Sequence, residues 1–432
     1  MDFLAKGQKI KKIRKKLKMN QEDLATDGIT RPFISMIESG KRGLSYKKAK
    51  ILAEIFNKRA EEINIDLHVY PEYILRTPSE DASKYCLEKL TNTKIIVDIE
   101  DIIKISTKFN LEDISAKAYN KLGDLYFEIG NYRDAFEKYT TVLDIFKNND
   151  KKNFYADLYN ILGKCKMKLL QHNDALFYFQ RANHYSLTHS NITIQRLSIY
   201  NLGLCYKKLN KIDDALSYIN EFITLCDKDS NFKEYIYANI LICTCYETQN
   251  NIDKSLGVYN GLISQFSNQQ DPLLAMVYSN LGSIYLRNND CVKSLDYYNL
   301  AQKIRTDKDI YNLHRTIIEK ADVFIKQSFY DEAIILIKLG LEMASKYNDL
   351  EYLIKGNYRL AQIYNNLNDY INLENIYILI IYLLKDTKDD EQILKIYNDM
   401  SIMYLKQNNL SKVENCLKMS QKILGNSYNY GL

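Results

Sequence analysis

The sequence predicts an all-α protein, with a small helical head followed by a long array of helical hairpins. Among 432 residues only 15 are Gly and 4 are Pro, which favours long helices with short connections over sheets. A pattern of small residues recurs every 39 or 40 residues between positions 123 and 401. Residues 1–60 carry 16 Lys and Arg against 6 Asp and Glu, whereas the remainder carries 43 against 48. A head of +10 on a body of −5 predicts a polyanionic partner for the head, unless its lysines only solvate a helix face.

The head reads as four helices joined by short turns. A stripe of apolar residues predicts the first helix: Leu4, Ile10, Ile13 and Leu17. A brief second helix over residues 21–26 ends at Gly28, which can adopt a positive φ. Thr30 is expected to cap a third helix, with Pro32 in its first turn, and Ser45 a fourth. Two short helices joined by a tight turn in a unit of about 60 residues form a helix-turn-helix.

The residues of this motif resemble the Xre/Cro-type helix-turn-helix. The matching positions are Gln21, Leu24, Ala25, Gly28, Ile29, Ile34, Ser35, Ile37, Glu38, Gly40 and Lys41. The turn between Ala25 and Ile34 is one residue shorter than the usual pattern. In this respect the segment is similar to the RRNPP class, the peptide-responsive regulators of low-GC Gram-positive bacteria.

The resemblance implies that the third helix enters the major groove of operator DNA by its N-terminal half. Arg31 would then contact guanine, and Phe33 and Met36 would pack on thymine methyls or sugar edges. Thr30 and Ser35 would reach bases or phosphates. The residues expected at phosphates are Gln21, Lys41, Arg42, Lys12, Arg14 and Lys15. The alternative is a helix-turn-helix remnant that no longer binds DNA, as in the Rap proteins.

The body contains a repeated pair of small residues twelve positions apart. The first members are Gly123, Gly163, Gly203, Cys243, Gly282, Ala321, Ala361 and Ser401. The second members are Ala135, Ala175, Ala215, Ser255, Ser294, Ala333, Leu373 and Val413. In seven of the eight units an aromatic residue follows the first member by three positions. Small residues at this spacing allow two antiparallel helices to approach closely, with the aromatic filling the space beside them.

This pattern is similar to the tetratricopeptide repeat and implies a right-handed helical-hairpin solenoid of about eight to nine repeats. Residues 81–110 are expected to form a degenerate ninth unit or cap. The predicted domains are a DNA-binding head over 1–67, a linker over 68–80, and a peptide-sensing and dimerisation array over 81–432. Leu373 and Val413 are larger than the pattern requires, so the last two units are expected to pack differently.

The remaining composition argues against several other classes. Cys165, Cys205 and Cys245 share one position in successive repeats and are expected to be packing residues. The sequence contains no C-x-x-C pair, no phosphate-cradling Gly loop and no nucleophile–base pair. We therefore expect no metal, no cofactor and no enzymatic activity. Without a signal peptide or an apolar run long enough to span a bilayer, the protein is expected to be cytoplasmic and not membrane-bound.

The first helices of stacked hairpins line a concave groove, where asparagine side chains suit an extended peptide backbone. Lys168, Lys208 and Arg287 could hold a terminal carboxylate or an acidic side chain. The candidate peptide-binding residues are Asn120, Asn160, Lys168, Tyr200, Asn201, Lys208, Tyr237, Thr244, Ser279, Asn280, Arg287 and Gln362. Alternatively, the asparagines only reflect an Asn-rich composition.

The favoured hypothesis is a transcriptional regulator in quorum sensing. A short linear signalling peptide would bind in the groove and change the spacing of the DNA-binding heads in a homodimer on double-stranded operator DNA. The homodimer is implied by the resemblance. The alternative is a Rap-like interaction scaffold that sequesters or inhibits a response regulator, with a secondary role for the head.

Overall fold

The chain is helical throughout the part that the structure describes. That structure is a computed structural model, and it describes residues 2–148, 152–228, 230–268, 270–385, 387 and 389–428. Within these ranges there are 22 α-helices, and the only β pairing is an isolated bridge between Thr26 and Ile29. The predicted all-α class is confirmed. The chain divides into two compact units, Met1–Leu125 and Tyr126–Leu432.

The first unit begins with the head. Its elements are α1 (Lys6–Lys16), a 3-10 turn (Glu22–Leu24), α2 (Arg31–Glu38), α3 (Tyr46–Glu62), α4 (Pro71–Leu75), α5 (Pro78–Asn92) and α6 (Ile96–Lys108). The helix α7 (Glu112–Glu128) extends past the end of this unit. The largest fully buried apolar side chains of the head are Ile10, Leu17, Leu24, Ile29, Ile34 and Phe56. The helical pair α5–α6 occupies the segment expected to form a ninth unit or cap.

Local capping in the head follows the predicted signals. The Thr30 hydroxyl accepts from the Phe33 amide at 3.4 Å, and Pro32 lies in the first turn of α2. Ser45 caps α3 in the same way, through the Lys48 amide. Gly28 has a positive φ of 95°, which supports the predicted break before α2.

The predicted second helix over residues 21–26 is wrong, because only the 3-10 turn Glu22–Leu24 forms. Thr26 and Ile29 exchange two backbone hydrogen bonds of 3.0 Å around Gly28. Because the N–H and C=O groups of Thr26 are bonded to Ile29, they cannot take part in a helix, and the residues before them are too few to form an α-helix. Ala25 is consequently extended and exposed.

The segment expected to be a linker packs against the head. The Asn57 amide group donates to the Val69 carbonyl at 3.0 Å and accepts from the Val69 amide at 2.7 Å. Val69 is 3% exposed and Ile74 is fully buried in the same cluster as the α1 and α2 core residues. Residues 68–80 are therefore held in place by the head's own core.

A buried lysine fixes α4 and α5 to α1. Lys9 is 1% exposed, and its ammonium donates to the carbonyls of Tyr73 at 2.8 Å and Arg76 at 2.7 Å. It also forms an ion pair with Asp81. Burial lowers the pKa of Lys9, while the hydrogen bond to Asp81 opposes that change. The three acceptors compensate much of the cost of burying this cation.

The second unit is an array of helices that pack in consecutive pairs. Its helices are α8 (Tyr132–Asn148), α9 (Tyr155–Lys168), α10 (His172–Thr188), α11 (Ile192–Lys208), α12 (Ile212–Thr224), α13 (Phe232–Thr248), α14 (Ile252–Ile263), α15 (Pro272–Arg287), α16 (Cys291–Lys308), α17 (Leu313–Lys326), α18 (Tyr330–Lys346), α19 (Leu350–Asn366), α20 (Tyr370–Leu384), α21 (Asp390–Lys406) and α22 (Leu410–Tyr428). The hairpins are numbered after the eight repeats of the sequence: α8 belongs to hairpin one, and the pairs α9–α10 to α21–α22 are hairpins two to eight. Residues 429–432, at the end of the predicted array, are not among those described.

The small residues lie where the two helices of a hairpin meet. A Cβ atom added to Gly163 would lie 2.5 Å from the Phe179 ring, and one added to Gly203 would lie 2.5 Å from Ile219. Both contacts are far inside van der Waals distance, so only glycine fits. The predicted close approach is confirmed, but the large residue that fills it follows the small one by sixteen positions, not three. The predicted aromatic instead stacks on another ring, as Tyr206 does on Tyr218 with 5.3 Å between centroids.

Many asparagines have a backbone role. A left-handed residue ends the first helix of several hairpins, and asparagine tolerates that conformation better than most side chains. The asparagines with positive φ after first helices are Asn210, Asn250, Asn289, Asn368 and Asn408, and Asn348 follows the second helix α18. Gly130 takes the corresponding place in hairpin one. These asparagines are therefore explained by the backbone conformation of the turns and need no role in ligand binding.

The cysteines at the shared repeat position are core residues, as predicted. Cys165, Cys205 and Cys245 are fully buried. Burial raises their pKa values to about 12, about 12 and about 11, so the thiols stay protonated and unreactive at neutral pH.

We expect Gly163→Ala to lower the free energy of unfolding by about 1–3 kcal/mol, because the new methyl group would overlap Phe179. The matched control is Gly257→Ala in α14, where an added Cβ meets no atom within 4 Å. Alanine there should be neutral or stabilise the helix by roughly 0.5–1 kcal/mol. Urea unfolding would measure both changes. Equal urea midpoints for the two variants would contradict close packing at Gly163.

Candidate functional site

The N-terminal half of α2 forms one candidate surface. Thr30, Arg31 and Ser35 are exposed, and Met36 is half-buried. The Arg31 side chain is 64% exposed, and its guanidinium lies 3.1 Å from the Glu22 carboxylate, which is equally open to solvent. Such an exposed pair contributes little to stability and can exchange for another anion. Lys12, Lys15, Lys41 and Arg42 are also exposed.

Phe33 does not lie on this outer face, where it was expected to pack on thymine methyls or sugar edges. It is only 7% exposed because α2 is short and turns Phe33, Ile34 and Ile37 into the head core. The Lys48 ammonium lies 3.8 Å from the ring centroid, and the Arg42 guanidinium carbon 5.1 Å. The ring thus positions two cations at the surface.

Arg14 and Gln21 meet at the carboxylate of Glu38. Arg14 donates to its two oxygens at 2.7 and 2.9 Å, and Gln21 donates at 2.9 Å. Burial alone would raise the pKa of Glu38, but the bonds from Arg14 and Gln21 outweigh it and lower that pKa. The Arg14 side chain is 12% exposed. Arg14 and Gln21 are therefore bound within the head, contrary to the expectation that they face phosphates.

The groove candidates fall into two groups in the structure. Some are satisfied by protein partners: Asn201 donates to Asn160 at 2.9 Å, and Asn160 is only 4% exposed. Ser279 is also buried, at 4%, and bonds to Thr316. Asn160 and Ser279, which were expected to contact a ligand, each instead close a contact between neighbouring first helices in this structure. Gln362 is exposed, and Tyr200, Asn201, Tyr237 and Asn280 are half-buried.

Two of the three predicted carboxylate-binding cations already have partners. Lys208 lies 2.6 Å from Glu351, and Arg287 lies 2.6 Å from Glu247. Thr244 donates to the carbonyl of Leu241 within its own helix. In the first unit, Asn120 donates to Asp124. Lys168 is exposed and has no carboxylate within ion-pair distance among the described residues.

Contacts also cross the groove between distant hairpins of the second unit. Lys208 on hairpin three reaches Glu351 on hairpin seven, and Asn348 donates to the Ile129 carbonyl in hairpin one at 2.8 Å. A Cβ on Gly130 would lie 2.7 Å from Asn348, so glycine permits this approach. Beside these bridges lies a cavity of about 480 Å³. The sequence analysis did not predict this cavity. Gly130 could have indicated it, because it is a glycine at a turn position that asparagine occupies in most of the other described hairpins.

Asp349 lines the cavity and is bonded to two basic side chains. Arg315 donates to one of its oxygens at 2.7 and 3.0 Å, and the Nε2 atom of His314 lies 3.0 Å from the same oxygen. Burial tends to raise the pKa of Asp349, but the His314 hydrogen bond and the Arg315 charge outweigh it and lower that pKa to about 2. Glu351 is likewise held far below its usual pKa by Lys208 and Lys355, despite its burial. Both carboxylates are therefore ionised and compensated.

Among the described residues, no group of three or more His, Cys, Asp or Glu side chains is arranged to hold a metal ion. No helix in the described ranges is both long and apolar enough to cross a membrane.

Comparison with known families identifies the two parts. Residues 10–63 match the helix-turn-helix family, and residues 116–149 and 198–229 match the tetratricopeptide repeat family. The chain therefore combines a helix-turn-helix head with a tetratricopeptide-like array. A sequence comparison with characterised proteins found no significant match.

Solved structures with the same architecture include quorum sensors. The apo form of the quorum sensor NprR from B. thuringiensis has a TM-score of 0.50 and 19% identity, over 80% of this chain and 99% of that one. NprR in complex with its cognate peptide NprX has a TM-score of 0.52 and 18% identity, over 79% and 99%. A Rap protein complexed with competence and sporulation factor has a TM-score of 0.45 and 12% identity, over 88% and 94%. At these identities, the likeness to the two NprR structures concerns the fold alone.

We expect Asp349→Asn to lower the free energy of unfolding by on the order of 2 kcal/mol near neutral pH. The folded pKa of about 2 lies below the ordinary 3.8, so the charge stabilises the fold above pH 3.8 and ceases to do so as pH falls through 2. The difference between wild type and variant should shrink to about half near pH 3. Urea unfolding at both pH values would measure it, with Asp331→Asn on exposed α18 surface as the control. A gap that does not change with pH would show that the charge is not its source.

Proposed function

We propose that the protein is a transcriptional regulator that binds operator DNA through α2 and is controlled by a short linear peptide bound in the groove of the array. The observation that carries this proposal is the exposed face of α2, where Thr30, Arg31 and Ser35 stand on a head of net charge +10. A basic head favours double-stranded DNA as partner, and the peptide complex of NprR supports a peptide ligand.

In this proposal Arg31 reads a base and the surrounding cations bind phosphate. Arginine presents two parallel donors that match guanine in the major groove. Its partner Glu22 is exposed and can release it. Lys48 and Arg42 on the Phe33 ring, with Lys41, Lys12 and Lys15, supply phosphate contacts without sequence preference.

Arg31→Ala should weaken specific operator binding by ~1–3 kcal/mol, because a bidentate base contact would be lost. Fluorescence anisotropy with a fragment of the chain's own promoter region would measure it. The matched control is Lys58→Ala, an exposed lysine on α3 outside the proposed contact set. Unchanged operator affinity in Arg31→Ala would remove Arg31 from the readout.

The peptide would lie along the first helices of the array. Asn201 donates its amide hydrogen to Asn160 and keeps its own carbonyl oxygen as an acceptor for a backbone N–H. Asn160 acts here by orienting Asn201. Half-buried tyrosines and Asn280 line neighbouring turns of the same array.

Replacing both Asn160 and Asn201 by Ala should abolish the response of operator binding to peptide and leave operator binding itself intact. The pair lies in the array and makes no contribution to α2. Asn375→Ala, at an exposed position on α20, is the matched control. A normal peptide response in the double variant would place the peptide elsewhere.

A homodimer is part of the proposal. The last hairpin exposes apolar side chains to about half of their area: Ile402, Leu405, Leu417 and Leu424. Apolar surface of this kind is typical of protein–protein contacts. It supports association of two copies, as the two half-sites of most helix-turn-helix operators require.

The Rap-like scaffold remains the second candidate because Arg14, Gln21 and Phe33 are engaged inside the head. Such a head offers fewer contacts to DNA than the motif implies. The salt dependence of binding to the promoter fragment separates the two functions. A steep slope with a sequence-specific component favours the regulator, and its absence favours the scaffold.

A further inference from the structure

An acidic side chain stands beside the arginine that is proposed to read the operator. Arg31 is the first residue of α2, and its Nη1 atom lies 3.1 Å from the Oε1 atom of Glu22. The two side chains are 64% and 70% exposed, so the pair lies open at the surface. A DNA duplex that reaches Arg31 therefore also meets the carboxylate of Glu22, which repels phosphates.

The position of Glu22 does not depend on this ion pair. Glu22 begins the 3-10 turn that ends at Leu24, and Leu24 is fully buried in the head core. The preceding residue, Gln21, donates from its side chain to Glu38 at the end of α2 at 2.9 Å. Because contacts on both sides hold the turn against α2, the carboxylate of Glu22 stays near the start of α2 when Arg31 turns toward DNA.

The pair is strong enough to compete with a phosphate but not with guanine. An exposed ion pair shifts an equilibrium by at most about fivefold, whereas a bidentate contact to guanine discriminates against other bases by roughly five- to 150-fold. A phosphate oxygen offers Arg31 the same kind of partner that it already has in Glu22, so that exchange gains little. Arg31 is therefore expected to stay with Glu22 on most sequences and to leave it where guanine presents two acceptors.

We propose that Glu22 is a specificity-determining residue of the DNA-binding surface. It holds Arg31 in an ion pair on non-specific DNA and releases it to a base that offers two acceptors. The inference rests on the proposed function, because it presupposes that α2 binds DNA. Glu22 acts through Arg31 and not by touching the duplex, so it is a positioning residue. Its role is to weaken the wrong complexes more than the right one.

The test compares Glu22→Gln with wild type on two short duplexes, using the full-length chain. One duplex is enriched from a random library by wild type, and the other is a scrambled sequence of the same composition. The matched control is Asp27→Asn, which removes an exposed carboxylate close by in the sequence that forms no ion pair with Arg31 among the described residues. Fluorescence anisotropy over a series of salt concentrations gives the affinity and the salt slope for each duplex.

In Glu22→Gln, Arg31 is free to contact a phosphate of the scrambled duplex. We expect the slope of log K against log salt on that duplex to be steeper than that of Asp27→Asn by about 0.9, which corresponds to one further phosphate contact. The ratio of enriched to scrambled affinity should fall about twofold to fivefold below that of the control. In an Arg31→Ala background, Glu22→Gln should change the slope on the scrambled duplex no more than Asp27→Asn does.

The outcomes separate the two proposals. If the library yields no enriched duplex, DNA binding itself is overturned, and the role of Glu22 with it. If a duplex is enriched but Glu22→Gln matches Asp27→Asn in slope and in affinity ratio, only the role of Glu22 is overturned. An equal effect of Glu22→Gln with and without Arg31 would show direct repulsion of DNA by the carboxylate, which also overturns the role. Both substituted positions are exposed, and thermal unfolding of each variant checks that the fold is kept.

Discussion

Close approach of two helices at one small side chain per hairpin is the constraint on which the array depends. Gly163 and Gly203 leave no room for a Cβ against Phe179 and Ile219. Because each hairpin is locked at this point, its first helix presents a fixed face to the groove. Polar contacts between neighbouring first helices, such as Asn201 with Asn160 and Arg287 with Glu247, are built on that fixed register.

Ion pairs line the groove and cross it. Asp349 and Glu351 are surrounded by cations, and their charges remain because each has partners within hydrogen-bond distance. A buried ion pair is costly to break on one side only, since the remaining charge is left without compensation. Removing either partner of these pairs is therefore expected to be costly. Lys168 and Lys346 also line the cavity, and neither has a carboxylate within ion-pair distance among the described residues.

The features that depend on neighbouring residues, namely helix caps and the repeat period, could be predicted from the sequence. The 39- or 40-residue period located hairpins two to eight, and the capping pattern located Thr30 and Ser45. The sequence-based predictions failed where the position of a side chain depends on a partner far away in the sequence. The motif places Phe33 at a DNA-facing position, yet its ring is buried in the head core. Arg14 was expected at a phosphate, yet it donates to Glu38, 24 residues away. Lys208 and Glu351 are 143 residues apart, and the repeat pattern contains nothing that would predict their contact.

The cross-groove bridges also change how the array should come apart. In a linear stack each unit contacts only its neighbours, so the ends fray independently and unfolding can proceed stepwise. Asn348 with Ile129 joins hairpin one to the connection after hairpin six, 219 residues along the chain. The hairpins between these points are thereby enclosed in a loop of contacts. Their opening becomes a shared event, so this part of the array should exchange its amide hydrogens as one cooperative block.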